Sequence, residues 1–401
     1  MASHRTPAIY LDHAATTPLD ERVLDAMLPY LRDHYGNPSS VHAMGRTVKA
    51  AVEEARTEVA ALINAKPGEI IFTSGGTESD NAAIRFALEA AGETARDIIT
   101  SPAEHTAVLA ACAQAQRNGA VVCEIPVNHA AVPDIASIEA RIAPSTAVCS
   151  LMHVNNETGG ILPLDATGEL LWKHDVLFHC DAVQSAGKLP IDVTKTHVDL
   201  LSLSAHKIHG PKGTGALYVR SGPRMTPLQF GGAQERGRRG GTENVPAIIG
   251  FGEAAKWARL EMEQRYRHCA GLRALAEEML CSSLPGIHFN GTGNEVIPNI
   301  LSVTFPADAY AIDGAMLVMR CDIEGLMISS GSACSAGSIE ASHVIRAIGR
   351  DDAGTAATIR VSFTAETTEE ELRGGMDILI RVVQGMSGRS RPCSHSRMTI
   401  P

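Results

Sequence analysis

The chain has 401 residues, long for one compact core, so two domains are expected. A hydrophobic fraction of 44% with 20% charged residues is ordinary globular composition, and a net charge of −10 argues against a broad nucleic-acid footprint or attachment to an anionic membrane. Nine scattered cysteines without a C-x-x-C pair argue against a disulfide framework or a structural zinc site, and no run suits a signal peptide or a membrane span, so a cytoplasmic protein is expected.

In chain order, Val48, Ala51, Val52, Ala55, Val59, Leu62 and Ile63 recur at helical spacing and predict a helix over 48–63. Seven short β-rich runs follow, at 70–72, 97–99, 121–123, 148–151, 176–178, 200–203 and 216–219, separated by helical or turn segments. Continuous apolar strands alternating with helices predict an α/β fold with a mostly parallel seven-stranded sheet covered on both faces. From Val245 the pattern turns helical through Ala255, Trp257, Leu260, Leu272 and Leu275, and a smaller α+β segment follows, with strands at 300–303 and 359–362. The expected division is a large domain over 16–255, a small one over 256–386 that includes residues 8–15, and a flexible Ser-, Gly-, Arg- and Pro-containing tail over 387–401.

In open α/β sheets ligands sit beyond the carboxyl ends of the strands, and the chemically suggestive residues fall there. Thr73-Ser74-Gly75-Gly76-Thr77-Glu78-Ser79 joins a strand to a helix; glycines allow a tight turn, and free N–H groups at a helix start favour an anion such as phosphate. Taken alone, a plain cap with Thr77 at N-cap is the commoner explanation, and neither the Walker nor the dinucleotide spacing is present. Phe178-His179-Cys180-Asp181 is an apolar strand ending in a carboxylate. Facing a protonated ring nitrogen at ~3 Å and an effective dielectric of ~20, that carboxylate gains on the order of 5 kcal/mol before desolvation. Lys207, in Ser204-Ala205-His206-Lys207-Ile208-His209-Gly210, follows a buried-type strand and has the chemistry of a Schiff-base lysine; a surface lysine is the commoner case.

Nine of the ten residues from Ser329 to Ser338 are Gly, Ala or Ser and the tenth is Cys334, which reads as a mobile, exposed loop displaying a reactive thiol. Arg360, in a strand-like run, offers a bidentate grip on a carboxylate, with a surface arginine on an edge strand as the equal alternative. The segment from Glu235 to Asn244 reads as a flexible basic loop.

Together, and in this order, the motifs carry a resemblance. They are Tyr10-Leu11-Asp12-His13-Ala14-Ala15-Thr16-Thr17-Pro18, Gly76-Thr77-Glu78-Ser79, Ala103-Glu104-His105, His153-Val154-Asn155-Asn156-Glu157-Thr158-Gly159 and Asp181-Ala182-Val183-Gln184. Ser204-Ala205-His206-Lys207, Gly240-Gly241-Thr242-Glu243-Asn244 and Ser330-Gly331-Ser332-Ala333-Cys334 complete the set. The chain resembles the cysteine desulfurases of the NifS/IscS type, class-V aminotransferases with the fold-type I of pyridoxal 5'-phosphate enzymes, from Tyr10 to Glu371.

The resemblance implies that Lys207 holds pyridoxal phosphate covalently and moves protons. Asp181 then pairs with the pyridine nitrogen, Gln184 contacts the ring hydroxyl and His105 stacks over the ring. Gly76, Thr77, Ser204 and His206 bind the phosphate, Thr242 reaches the phosphate of a neighbouring subunit in a homodimer, and Asn156 and Arg360 place L-cysteine, with Arg360 on its carboxylate. Cys334 takes the sulfur as a persulfide, releasing L-alanine, and passes it to an iron–sulfur scaffold or another acceptor protein; it alone would touch a nascent cluster, and no metal site of the protein's own is implied.

The family's usual Leu-Gly-Arg-Phe-Thr-Thr reads Phe363-Thr364-Ala365-Glu366-Thr367-Thr368 here, and the tail lacks the tryptophan-containing end of housekeeping IscS proteins. The first departure leaves Arg360 intact but alters its surroundings; the second, together with Gln234 to Arg239, leans toward the NifS branch, which supplies nitrogenase clusters. A selenocysteine lyase or another enzyme of the same fold, which would lack the Cys334 loop, and a non-catalytic sulfur-relay or scaffold protein are the alternatives.

Overall fold

The computed structural model describes residues 8–92, 95–222, 226–227, 229–292, 295–330, 342–350 and 357–387. The first part comprises β1 (Ile9–Tyr10), α1 (Glu21–Arg32), α2 (Ala43–Leu62), β2 (Ile70–Thr73), α3 (Gly76–Ala91), β3 (Asp97–Thr100), α4 (Thr106–Arg117) and β4 (Val121–Glu124). After these come α5 (Ile135–Glu139), β5 (Thr146–Met152), α6 (Leu164–Lys173), β6 (Leu177–Asp181), β7 (Leu200–Ser204) and β8 (Gly215–Val219). The remainder comprises α7 (Val245–Ser283), β9 (His288–Phe289), β10 (Ile300–Thr304), α8 (Gly314–Ile323), β11 (Leu326–Met327), β12 (Ser329–Ser330), α9 (His343–Ala347), β13 (Thr358–Ser362) and α10 (Glu369–Ser387).

All seven expected runs are strands of one sheet, ordered β2-β8-β7-β6-β5-β3-β4. Strand β8 is antiparallel to both of its neighbours, and the remaining pairs are parallel. The runs are continuously apolar because successive side chains enter different cores on opposite faces of the sheet. Ile70, Phe72, Leu201, Leu203, Ala216 and Tyr218 join one core with α2, α6 and α7. Ile71, Leu200, Leu217 and Val219 join the other with α3 and α4.

A second sheet, β12-β13-β10-β9, is antiparallel throughout, and β1 pairs in parallel with β11. Its core gathers Leu301, Val303, Ile359 and Val361 with Leu11, Leu317 and Leu379. Helix α7 serves both cores: Ile248, Phe251 and Ala255 pack in the first, and Leu272, Ala276 and Leu280 in the second. A boundary at 255/256 thus falls inside one continuous helix, whose packing passes from the first core, which still holds Ala258, to the second, which begins at Cys269.

Three local features differ from the sequence reading. Helix α1, capped by Asp20 Oδ1 accepting from the Arg22 N–H at 2.8 Å, was not anticipated. Helix α2 begins at Ala43, a full turn before the apolar repeat. The segment from Glu235 onward is pinned rather than loose. Glu235 is 5% exposed and takes Arg56 Nη1 and Nη2 at 2.7 and 2.8 Å and the Phe72 N–H at 3.0 Å. Arg238 donates to the Gly68 carbonyl at 3.0 Å, and Arg239 to Glu78 at 2.9 Å. Of the expected tail, Ser387 ends α10 and the rest lies outside the described residues. No helix among the described residues is long and apolar enough to cross a membrane.

Candidate active site

A cleft opens at the carboxyl ends of β5, β6 and β7 and at the start of α3, with Arg360 of the second sheet on its far wall. Gly76, Thr77, His105, Asn156, Asp181, Gln184, Ser204, His206, Lys207 and Arg360, ten residues singled out from the sequence, all line it. Thr242 does not: it lies exposed ahead of α7. Cys334 lies outside the described residues.

Lys207 stands in the short 3-10 turn after β7, and its Nζ donates to the carbonyls of Ala14 and Ala15 at 2.7 and 2.8 Å. The same turn is locked to the N-terminal segment: Thr17 Oγ1 donates to the His206 carbonyl at 2.9 Å, and His206 Nδ1 lies 3.1 Å from Thr16 Oγ1. Burial, helped by Lys207, pushes the His206 ring down to about 4, so it is neutral at pH 7.

Asp181 ends β6, buried, with Oδ1 accepting from the Val183 N–H at 3.0 Å. Burial raises its carboxyl, while His105 and Lys207 pull the other way. His105 caps α4: its Nδ1 accepts from the Ala107 N–H at 3.1 Å, which assigns the ring proton to Nε2, and burial lowers its proton affinity. Beneath Asp181 lies Asp80, 1% exposed, with one carboxyl oxygen unpartnered and its proton affinity raised by burial and by Asp181. His179 sits between Ser150 Oγ at 2.8 Å and Ser202 Oγ at 3.0 Å, and burial drives it down to about 3.

Helix α3 starts at Gly76, with Gly75 rather than Thr77 as N-cap. Gly75 has a φ of +153°, and a Cβ on Gly76 would come 2.8 Å from Val183 Cγ2, so glycine is required for the helix start to close on the β6 turn. The first turn keeps backbone N–H groups for an anion, because no side chain caps it.

Arg360 is 7% exposed in β13, which lies between β12 and β10 and is not an edge. It donates to the Asn156 carbonyl at 2.7 Å and to Asp12 Oδ1 at 2.8 Å, and its buried Nε is unpartnered. Sequence reasoning missed Asp12, Asp80 and Lys188, which donates to Gln184 at 3.0 Å. Asp12 and Asp80 lay in or beside quoted motifs, but nothing local marked them as facing a site.

A mostly parallel seven-stranded sheet covered by helices, with a cleft at the carboxyl ends of its strands and a smaller antiparallel sheet beside it, is the architecture of fold-type I pyridoxal phosphate enzymes. The model of the family described as aminotransferase class-V matches residues 9–374, and the chain belongs to that family. A cysteine desulfurase of Trichormus azollae is 42% identical over 382 residues, covering 95% of this chain and 94% of its own. Among solved structures, a NifS-like protein superposes with a TM-score of 0.87 at 36% identity, covering 94% of this chain and 100% of its own. SspA in complex with cysteine gives 0.79 at 35% identity, covering 90% and 100%.

Proposed function

We propose that this protein is a cysteine desulfurase: it converts L-cysteine to L-alanine and leaves the sulfur as a persulfide on Cys334. The observation that carries the reading is the convergence of Lys207, Asp181, Gln184, His105 and Arg360 on one cleft. The residues fit pyridoxal phosphate. The uncapped start of α3 with Gly76, Ser204 and His206 would hold the phosphate, Asp181 the ring nitrogen, Gln184 the ring hydroxyl, and Lys207 the aldehyde carbon. When bound, the group supplies a sink for the electrons left when the substrate's Cα–H bond breaks.

The chain's own residues do the rest. Asp181, held by the Val183 N–H, keeps a proton on the ring nitrogen. Arg360, with Asn156 nearby, grips the substrate carboxylate, and the Asp12 carboxylate fixes the direction of its fork. Lys207 Nζ takes the Cα proton. The Cys334 thiolate attacks the substrate sulfur: an S–S bond forms, the C–S bond breaks, and protonation of the carbon fragment gives alanine. His105, neutral with its proton on Nε2, is placed to exchange protons with the incoming thiol.

The persulfide is then passed to an acceptor protein of iron–sulfur cluster assembly, nitrogenase clusters among them. The same reading divides the chain into a cofactor-binding domain over 16–255 and a small domain over 256–386 joined by residues 8–15, supported by the two separate cores. It makes the protein a cytoplasmic homodimer in which Thr242 serves the partner's site, supported by that residue's exposure and by uncovered apolar side chains on α1.

The test is a visible spectrum before and after L-cysteine and a thiol reductant, with alanine and sulfide assayed together. A yellow protein that releases both in equal amounts is the expected result; yellow protein without sulfide would overturn the desulfurase reading. Cys334→Ala is expected to keep the colour and lose sulfide release, and full activity in that variant would exclude the persulfide route.

A further inference from the structure

Lys188 lies behind the cleft and has no part in the chemistry assigned above. Its Nζ donates to Gln184 Oε1 at 3.0 Å. The other end of that amide, Nε2, donates to the Ala14 carbonyl at 2.9 Å, and the same carbonyl accepts from Lys207 Nζ at 2.7 Å. Gln184 is 4% exposed, so its polar atoms depend on these partners. Lys188 and Lys207 also share the wall of a second cavity, whose other sides include Ile208, Ile297 and Phe363.

An amide held between a lysine and a carbonyl has one favourable orientation, with its oxygen toward the lysine and its nitrogen toward the carbonyl. Burial pushes Lys188 down to about 7, yet its Nζ has a hydrogen to donate whether charged or neutral. With the lysine removed, the buried Oε1 loses its donor and the amide is oriented by the Ala14 carbonyl alone, an acceptor it shares with Lys207, so its hold as a donor toward an anionic oxygen weakens.

We propose that Lys188 is a positioning residue: by holding the oxygen of Gln184 it fixes that amide as a hydrogen-bond donor to the cofactor, on a carbonyl shared with Lys207. This rests on the cofactor reading above. Methionine has a similar length and no donor, and arginine keeps one.

The test is equilibrium dialysis of the holoprotein against graded pyridoxal phosphate, with the visible spectrum recorded at each step. Lys188→Met is expected to weaken binding about 10-fold, the equivalent of one hydrogen bond, and to shift the visible band. Lys188→Arg is expected to stay within about threefold of wild type. In a Gln184→Ala background, Lys188→Met should add nothing further, because the residue acts through that amide. A full additive loss in the double variant, with unchanged urea midpoints, would overturn the proposed route. Wild-type protein that binds no pyridoxal phosphate would overturn both this role and the functional reading. Wild-type binding matched by Lys188→Met would overturn this role alone.

Discussion

Glu104 is 1% exposed; its Oε1 accepts from Ser101 Oγ at 2.7 Å, and its Oε2 has no partner. Burial raises its carboxyl to about 8 from an ordinary 4.5, so the folded protein keeps a proton that the unfolded chain releases. Its contribution to stability therefore falls as pH rises from about 4.5 to 8. Glu104→Gln removes that titration, and its stability relative to wild type should rise by roughly 2–4 kcal/mol between pH 5 and 8. Urea midpoints at the two pH values measure this; a constant difference would mean the carboxyl is already ionised at pH 5. Arg360→Lys keeps the charge but loses the fork, so the KM for L-cysteine should rise on the order of 10-fold or more in steady-state assays, with a smaller change in kcat. At this scale Asp181, closing β6, and Lys207, in the turn past β7, drew notice by their place at strand ends, but only the resemblance separated them from an ordinary turn aspartate and surface lysine. Asp12 and Lys188 were not: Asp12 meets Arg360 across 348 residues of chain, and Lys188 looks like any lysine after a glycine until Gln184 is seen beside it.

Among the elements, the segment after Phe230 was the hardest to read. Its glycines and arginines suggest a solvated loop, yet Glu235 is carried into the base of β2 by a buried pair with Arg56, 179 residues away, at a backbone φ of +47°. Local composition reports what a segment prefers in water and holds no information on a partner so distant. Removing one member strands the other: Glu235→Ala should cost about 3–5 kcal/mol in urea unfolding, and Arg56→Met with Glu235→Leu markedly less. Equal losses in the two variants would mean that packing, and not the uncompensated charge, sets the cost. The sheet strands, by contrast, were legible in number because their alternating residues fill two cores, a demand written into each run by itself, whereas their order across the sheet was not.

On the scale of the molecule, one chain leaves Leu24, Leu28, Leu31, Tyr35 and Val41 exposed by 41, 46, 59, 75 and 89%. If a second copy covers them, Leu28→Glu should shift the mass seen by light scattering from dimer toward monomer and weaken cofactor retention. An unchanged dimer would move the interface elsewhere. Strand β8 is the reversed strand of the large sheet. Direction along a sheet multiplies like a sign, and β2 is separated from β7 by two reversals, both at β8. Minus times minus restores plus, so β2 runs the same way as β5, β6 and β7, and the glycine turn after it arrives at the edge that carries Lys207. A rearranged chain without β8, with β2 docked antiparallel on β7, would keep every residue of the cleft and deliver the head of α3 to the opposite rim.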